Sequence, residues 1–424
     1  MQCCESTIPH ALRRRADCGC RLVHILCSGV IITSIIKDLY SLPRPLSPPL
    51  YRITMSDSTA LEYGFPSTHS ANAVSMTVYG VLLLRTPELG AALGQTTTTV
   101  LEAIAYLYSA TIVLGRIYCG MHGFLDIAVG SLVGAAIALT VYCWGPAVDV
   151  YMHQSSWLAP ALAALLCVWV TWIHPEPADD CPCFDDSVAV LGVVIGIEIG
   201  TWTYGRIAAD PWSGSAYGST PPAVSSLPWT VLGARIVLGL AIVFGWRETA
   251  KAALLRGLPH LFRLLSHIGL TRRRRFFVQA DDYTSVPEDA RIDSTFPDMH
   301  ELPRAIESIR NPTKRGRSVS VGPQSAADAY ETLAYRAHWR GRSGTDAGRR
   351  AREERERQTR KEEADVLFQQ VPESRVRYDV EVVTKLIVYT GEWVVWMMSR
   401  RIALLTRTGN RHCAAVEHVD TNPL

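Results

Sequence analysis

Two uninterrupted apolar segments limit most strongly what this chain can fold into. Residues 127–145 and 155–173 contain no charged side chain. Each is long enough to cross the hydrocarbon core of a bilayer, which takes about 17 to 25 mostly apolar residues. A soluble core would instead show apolar residues at helical or alternating spacing. The sequence therefore predicts an all-α fold, a polytopic transmembrane helix bundle.

Six further segments are candidate spans, although each is short or contains or borders an ionisable residue. They are residues 22–36, 70–84, 99–115, 187–205, 229–246 and 386–399. Ionisable residues within a span are costly and usually face the bundle interior or one another. Glu198 and Arg235 are therefore predicted to pair across two late helices, unless one of them reaches the membrane surface near a span end.

Most of the charge lies in one stretch of the chain. Residues 271–378 hold 22 of the 42 basic residues and 18 of the 40 acidic ones. A net charge of +2 and a hydrophobic content of 48% exclude a nucleic-acid-binding protein and a disordered chain. The predicted organisation is a short cytosolic N-terminal segment (1–20), a membrane-embedded domain (21–246), a charged and largely disordered insert (247–378), a last transmembrane helix (379–399) and a C-terminal tail (400–424).

The distribution of Lys and Arg predicts the orientation, since short cytosolic loops carry the excess of positive charge. Four arginines among the first 21 residues place the N-terminus in the cytosol, so the loop after Lys37 lies on the other side. With eight spans the insert also lies on that side, and a further crossing near residues 254–270 would move it, so its side stays open.

Cys181 and Cys183 are either a lumenal disulfide or unpaired thiols. We expect no cleavable signal peptide.

Three polar clusters lie at the predicted lumenal ends of spans. They are Lys37 and Arg44 in KDLYSLPRP; Pro66, Ser67, Thr68 and His69 in GFPSTHS; and Arg116, His122 and Asp126 in GRIYCGMHGFLD. Taken singly, each residue has an ordinary explanation as an interfacial anchor, a loop histidine or a helix-start residue. Together they favour one shared site.

The cluster residues favour binding of a phosphate monoester. Lys37, Arg44 and Arg116 can surround a phosphoryl group, with Arg binding its oxygens bidentately and Lys acting as a point charge. Pro66 suits a first helical position, so the free N–H groups that follow it, and the Ser67 hydroxyl, would point at an anion. Because the three side chains supply the positive charge, we expect no metal and no cofactor.

The two histidines favour covalent catalysis. His122 and Asp126 are four residues apart, so on a helix they would share one face. Asp126 could then accept a hydrogen bond from one ring nitrogen of His122 and leave the other free to attack. His69 would be the acid for the leaving oxygen.

These motifs resemble a known family. The three clusters match KxxxxxxRP, PSxH and SRxxxxxHxxxD, the signature of the type 2 phosphatidic acid phosphatase (PAP2) and haloperoxidase superfamily. The strings LPRPLSPPLYRITMS, EYGFPSTHS and RIYCGMH resemble its sphingosine-1-phosphate phosphatase branch, of the fungal long-chain-base phosphate type. The segment YDVEVVTKLIVYTG resembles the last membrane span of that branch. The resemblance covers roughly residues 36–398.

The resemblance implies a helix bundle with a PAP2-type catalytic core in the endoplasmic reticulum membrane, its active site facing the lumen. The enzyme would hydrolyse sphingoid base 1-phosphates to the free base and phosphate through a phosphohistidine, without a metal. Its partners would be the lipid substrate and the bilayer, and no nucleic acid. The implied roles are phosphate binding by Lys37, Arg44, Ser67, Thr68 and Arg116, nucleophilic attack by His122, orientation of that ring by Asp126, and proton transfer by His69.

The chain departs from the family signature at one position. Gly115 stands where the signature has Ser, which removes a hydroxyl contact. The family also places one or more hydrophobic helices before the first span, where this chain has about twenty residues. Two other functions stay open: a broad lipid phosphate phosphatase of the phosphatidate type, and a catalytically impaired membrane scaffold.

Overall fold

The computed structural model describes residues 7–45, 62–207, 229–269, 273–286, 329, 332–335, 337 and 376–416. Within these ranges the helices are α1 (Thr7–Tyr40), α2 (Thr68–Leu84), α3 (Pro87–Leu93), α4 (Gln95–Tyr118), α5 (Phe124–Gln154), α6 (Leu158–Ile173), α7 (Cys183–Ile207), α8 (Trp229–His267) and α9 (Asp379–Val416). Two short strands, β1 (Phe277–Val278) and β2 (Arg377–Tyr378), pair in parallel. The predicted all-α fold is confirmed.

All of these helices except the short α3 correspond to the predicted spans, and successive ones run in opposite directions. At one end of the bundle the N-terminal half of α1 meets the end of α5, where Arg21 Nε lies 2.6 Å from Asp149 Oδ2. The end of α2 meets the start of α4 there, through Arg85 and Glu102. The opposite end holds Lys37 and His122, and we call it the site end.

The outer faces of several helices are apolar and exposed. Leu107 of α4, Leu132 of α5 and Leu165 of α6 are each more than 60% exposed. Among the described residues, Gly19–Tyr40, Gln95–Tyr118 and Phe124–Met152 are long and apolar enough to cross a membrane, and α6 is a shorter apolar helix. An apolar surface of this extent marks an interaction site, and contact with lipid explains it. The chain is a multi-pass membrane protein.

Helix α2 lies at the centre of the half of the bundle that carries the site. It packs against α1, α4 and α5. Its approach to α5 is close because Gly130 and Gly134 have no side chains: a Cβ added to Gly130 would lie 2.5 Å from the Ser67 carbonyl oxygen, and one on Gly134 would overlap the Ala71 carbonyl. Small residues four apart allow such close helix contacts in membranes.

Helix α7 organises the other half of the bundle, packing against α1, α6 and α9. It approaches α9 closely through Gly192 and Gly196, which face the α9 backbone. Because α1 also packs on α7, Glu198 Oε1 lies 2.9 Å from Nε2 of His24 on α1. The side chain of Arg235 lies outside the described residues, so the predicted Glu198–Arg235 pair stays a prediction.

The proposed boundary between membrane domain and insert falls inside α8. The helix continues to His267, because its residues Leu255 and Leu258 pack against Tyr378 and Val380. The described segment after it returns to the site end, where Arg274 Nη2 donates to the Thr171 and His174 carbonyl oxygens. That segment therefore lies at the same end of the bundle as Lys37 and His122. The predicted disorder of the insert concerns residues that lie mostly outside those described.

We expect Gly134→Ala to destabilise the protein, because the new methyl group would overlap the α2 backbone. Overpacking of this kind costs about 1 to 3 kcal/mol of unfolding free energy. The melting temperature in detergent measures the effect. Gly80→Ala on α2 is the control, since its added Cβ meets nothing within 4 Å. Equal melting temperatures for the two variants would contradict the close α2–α5 contact.

Candidate active site

The three sequence clusters meet at the site end. Lys37 lies in the last turn of α1, Arg44 in the segment after it, Ser67 just before α2, and His122 just before α5. The Ser67 N–H donates to the Asp126 carbonyl oxygen at 3.0 Å, which joins the second cluster to the third. Lys37, Arg44 and His122 are all buried. The structure thus brings Lys37, Arg44, Ser67 and His122 together at one end of the bundle.

The Arg44 guanidinium connects the chain segments that build the site. Its Nε donates to the Glu62 carbonyl oxygen at 2.9 Å, and its Nη1 donates to the Met121 carbonyl oxygen at 2.9 Å. Nη1 also lies 3.2 Å from Nε2 of His122. A buried guanidinium is costly unless its donors are satisfied, so these contacts fix its position beside the histidine.

The protonation of the His122 ring follows from its neighbours. Nδ1 lies 2.8 Å from the Gly64 carbonyl oxygen, which can only accept, so Nδ1 carries a proton. Burial lowers the pKa of His122, and the charges of Arg44 and Lys37 lower it further, against the opposing effect of Asp126. The ring is therefore neutral near pH 7, and Nε2 holds a lone pair directed toward the cationic cluster.

The predicted role of Asp126 needs correction. His122 precedes α5, which begins at Phe124, so the two residues do not share a helix face. Asp126 Oδ2 accepts a hydrogen bond from the Gly123 N–H at 2.7 Å and lies 3.8 Å from His122 Nδ1. Gly64, which no sequence signal singles out, orients the ring instead. Asp126 contributes a negative charge beside it.

The start of α2 also differs from the prediction. Helix α2 begins at Thr68 rather than at Pro66, and Ser67 is its N-cap, with its hydroxyl accepting from the Ser70 N–H at 3.3 Å. The Ser67 N–H is used by Asp126 and is not free for an anion. The first-turn N–H groups of Thr68 and His69 have no acceptor within a helix, so they can still bind one. The Thr68 hydroxyl lies 2.9 Å from that of Thr33.

His69 and Arg116 lie on the open side of the site. His69 is exposed and Arg116 is half-buried, and His69 interacts electrostatically with Arg116, Glu62 and His122. Neither side chain has a hydrogen bond or ion pair within the described part of the chain. Both are placed to meet a substrate that enters from this side.

Glu62 is a site residue that sequence reasoning missed. Its Oε2 lies 2.8 Å from Lys37 Nζ and 3.6 Å from Arg44 Nη2. Burial acts to raise the pKa of Glu62, but Lys37 and Arg44 outweigh it and hold the pKa below its ordinary value. Glu62 opens the string EYGFPSTHS, so its closeness to the second cluster was the available signal.

A disulfide braces the Glu62–Gly64 segment. Cys181 and Cys183 are bonded to each other, which is one of the two states that the sequence left open, and both pack against Tyr63. The Tyr63 hydroxyl accepts from the Asp179 N–H at 2.8 Å. Asp38 lies close enough to both sulfurs for the three residues to surround an ion, but metals bind thiolates, and bonded sulfurs are not thiolates.

Part of the chain is similar to a known protein family. A family model described as the PAP2 superfamily matches residues 19–149, which include every predicted site residue. These residues are similar to a PAP2 superfamily domain. No solved structure matches the chain.

The sequence similarity to individual relatives covers more of the chain than the family model does. It is 35% identical over 244 residues to a dihydrosphingosine 1-phosphate phosphatase of Schizosaccharomyces pombe, covering 58% of this chain and 57% of that protein. It is 34% identical over 247 residues to another of Saccharomyces cerevisiae, covering 57% of each. A human sphingosine-1-phosphate phosphatase 2 is 25% identical over 264 residues, covering 60% of this chain and 62% of that protein. The chain thus spans a little over half the length of its yeast relatives.

Gly115, where the PAP2 signature has Ser, lies inside α4 one residue before Arg116. Its backbone does not have a positive φ, and an added Cβ would meet nothing within 4 Å. Glycine is therefore not required at this position by backbone conformation or by space.

We expect Gly115→Ser to raise kcat/KM for a phosphate monoester. A hydroxyl that donates to a phosphate oxygen in the transition state and regains about 1.4 kcal/mol gives roughly a tenfold increase. The control is Gly80→Ser, which adds the same side chain to open space on α2 and should leave kcat/KM unchanged. A lower kcat/KM in a well-folded Gly115→Ser protein would rule out a missing phosphate donor.

We expect Asp126→Asn to lower the maximal rate by about 10- to 100-fold, because it removes the negative charge beside an imidazole that becomes positively charged when it is phosphorylated. Where a carboxylate alone sets the tautomer of a histidine, its replacement by an amide lowers kcat by about 10⁴-fold. Here the Gly64 carbonyl accepts the hydrogen bond from Nδ1, so we expect a smaller loss. Asp126 raises the pKa of His122, so its neutralisation lowers that pKa. The acid limb of the kcat/KM profile should therefore move to lower pH.

Asp282→Asn, at an exposed position, is the control for loss of one carboxylate. A loss near 10⁴-fold, or an acid limb displaced to higher pH, would contradict the conclusion that Gly64 sets the tautomer of His122.

Proposed function

We propose that the protein hydrolyses sphingoid long-chain base 1-phosphates to the free base and phosphate through a phosphohistidine intermediate. One observation carries the proposal: Nε2 of the buried His122 lies 3.2 Å from Arg44 Nη1, and Nδ1 lies 2.8 Å from the Gly64 carbonyl oxygen, which makes Nε2 the unprotonated nitrogen. A nucleophile next to fixed cations is the arrangement that attack on a phosphoryl group requires. The yeast and human relatives, named for sphingoid base phosphates, support the substrate class.

In the first step the phosphate binds to Lys37, Arg44 and Arg116. Arg44 Nη1 gives up its hydrogen bond to His122 Nε2 and donates to a phosphate oxygen instead, and the freed Nε2 lone pair attacks the phosphorus. The bond from phosphorus to the substrate's alkoxide oxygen breaks, and that oxygen takes a proton from His69. The imidazole of His122 is now phosphorylated and positively charged. Asp126, 3.8 Å from Nδ1, stabilises this charge, while the Gly64 carbonyl keeps its hydrogen bond.

In the second step water replaces the alcohol. His69, now neutral, takes a proton from a water molecule, whose oxygen attacks the phosphorus. The bond from phosphorus to Nε2 breaks, phosphate leaves, and His122 returns to the neutral form with its proton on Nδ1. His69 is again protonated, so the cycle closes without a metal.

The difference in burial supports the separate roles of the two histidines. His122 is 4% exposed and held by contacts at both ring nitrogens, which suits a nucleophile that must keep one geometry. His69 is exposed, which suits a group that serves first a bulky leaving alcohol and then water. Partial desolvation and the charge of Arg116 lower the pKa of His69 to about 4 in the free protein, and the negative charge of a bound phosphate favours its protonated form.

The location proposed is the endoplasmic reticulum membrane, with the site end facing the lumen. Arg-rich sequence before the first span favours a cytosolic N-terminus, and α1 carries the chain to the site end. The Cys181–Cys183 disulfide lies at that end, and disulfides persist in oxidising compartments such as this lumen.

A broader lipid phosphate phosphatase is the second candidate. The cations of the site bind the phosphate and not the lipid tail, and a lipid phosphate phosphatase delta of Arabidopsis thaliana is 31% identical over 169 residues. Turnover of dihydrosphingosine 1-phosphate and phosphatidate, measured side by side with EDTA present, separates the two: equal kcat/KM favours the broader enzyme. Turnover of neither would favour the impaired scaffold.

We expect His122→Ala to abolish the covalent intermediate and His69→Ala to retain it. Without His69 the leaving oxygen lacks its acid, which lowers the rate by about 10² to 10⁴-fold but leaves the nucleophile in place. Brief incubation with ³²P-labelled substrate should trap an acid-labile, base-stable phosphoprotein in His69→Ala and in the control His260→Ala, whose histidine is exposed on α8. A labelled His122→Ala protein would refute the assignment of the nucleophile.

A further inference from the structure

Glu62 places a negative charge inside a site that otherwise collects positive charge for a phosphate. Its Oε2 contacts Lys37 Nζ at 2.8 Å and lies 3.6 Å from Arg44 Nη2. Both partners are cations that the proposed reaction uses to bind phosphate. A carboxylate beside them weakens their attraction for a dianion. Glu62 therefore needs another function in the site that explains its presence.

Pairing with Lys37 and Arg44 uses only part of the hydrogen-bonding capacity of the Glu62 carboxylate. Arg44 Nε donates to the backbone carbonyl of Glu62, and that contact needs no particular side chain. Within the described residues Oε1 of Glu62 accepts no hydrogen bond, although a carboxylate can accept about four. The side chain is 19% exposed, so a ligand can reach the remaining acceptor positions.

We propose that Glu62 binds the protonated amine at C2 of a sphingoid base 1-phosphate, an assignment that rests on the proposed function. The amine is attached to the carbon next to the one that bears the phosphate ester. A substrate whose phosphate lies on Lys37 and Arg44 therefore brings its ammonium group within reach of a carboxylate that contacts those same two side chains. Glu62 is then a specificity residue that distinguishes amino lipids from other phosphate monoesters.

The charges of the site and the substrate match under this assignment. Lys37, Arg44 and Arg116 carry three positive charges and Glu62 and Asp126 two negative ones, which leaves one net positive charge in the free protein, where both histidines are neutral. The head group of a sphingoid base phosphate combines a phosphate of nearly two negative charges with one ammonium. A phosphate monoester without the amine would leave Glu62 facing the phosphate with no cation from the ligand.

The test compares Glu62→Gln with unmodified protein on dihydrosphingosine 1-phosphate and on lysophosphatidate, which carries a hydroxyl in place of the amine. In Glu62→Gln we expect kcat/KM for dihydrosphingosine 1-phosphate, divided by kcat/KM for lysophosphatidate, to fall by about tenfold or more. A site built to bind a polar group discriminates strongly against a ligand lacking it, and the variant loses that discrimination. The control Glu176→Gln, an exposed loop residue at the site end, should keep the ratio.

A second measurement needs no variant. In the unmodified protein the same ratio should fall as the pH rises through the pKa of the substrate amine, because the ammonium loses its charge. Titration of enzyme groups changes kcat/KM for both substrates alike, so its effect cancels in the ratio. A ratio that does not change with pH, or equal losses on both substrates in Glu62→Gln, would overturn the Glu62 assignment and leave the proposed function standing. Failure of the unmodified protein to hydrolyse dihydrosphingosine 1-phosphate would overturn both.

Discussion

The buried guanidinium of Arg44 is the interaction on which the site depends. A charge removed from water must be paired and hydrogen-bonded, and Arg44 meets this requirement with backbone oxygens of Glu62 and Met121 and with the ring of His122. These partners come from two separate loops. The need to satisfy one cation therefore draws the loops together and places the histidine nitrogen beside positive charge.

Helix packing carries this arrangement into the membrane domain. Because Gly130 and Gly134 let α5 approach the α2 backbone, the start of α2 lies against the start of α5, and the Ser67 N–H reaches the Asp126 carbonyl. The loops before α2 and α5, which carry Gly64 and His122, are thus positioned by the contact between these two helices. Stability of the α2–α5 contact and geometry of the site are consequences of the same packing.

Much of this structure is predictable from the sequence, and the exceptions have physical causes. Apolar runs predict the helices, and residue types at family spacing predict Lys37, Arg44 and His122. Gly64 cannot be found in this way, because it acts through a carbonyl that every residue possesses. The spacing of Asp126 from His122 predicts a shared helix face, but α5 begins two residues after the histidine. Glu62 escapes any search that looks only for cations around a phosphate.

The two histidines show how one fold gives the same side chain two kinds of chemistry. His122 lies in a loop covered by Gly64 and Arg44, where burial and nearby cations lower its pKa and keep it neutral. His69 projects from the first turn of α2 on the open side of the site, where no described group fixes its ring. A nucleophile gains from a fixed position, since misalignment costs rate. An acid that must serve first an alkoxide and then water gains from freedom to move, so burial of one ring and exposure of the other follow the demands of the two steps.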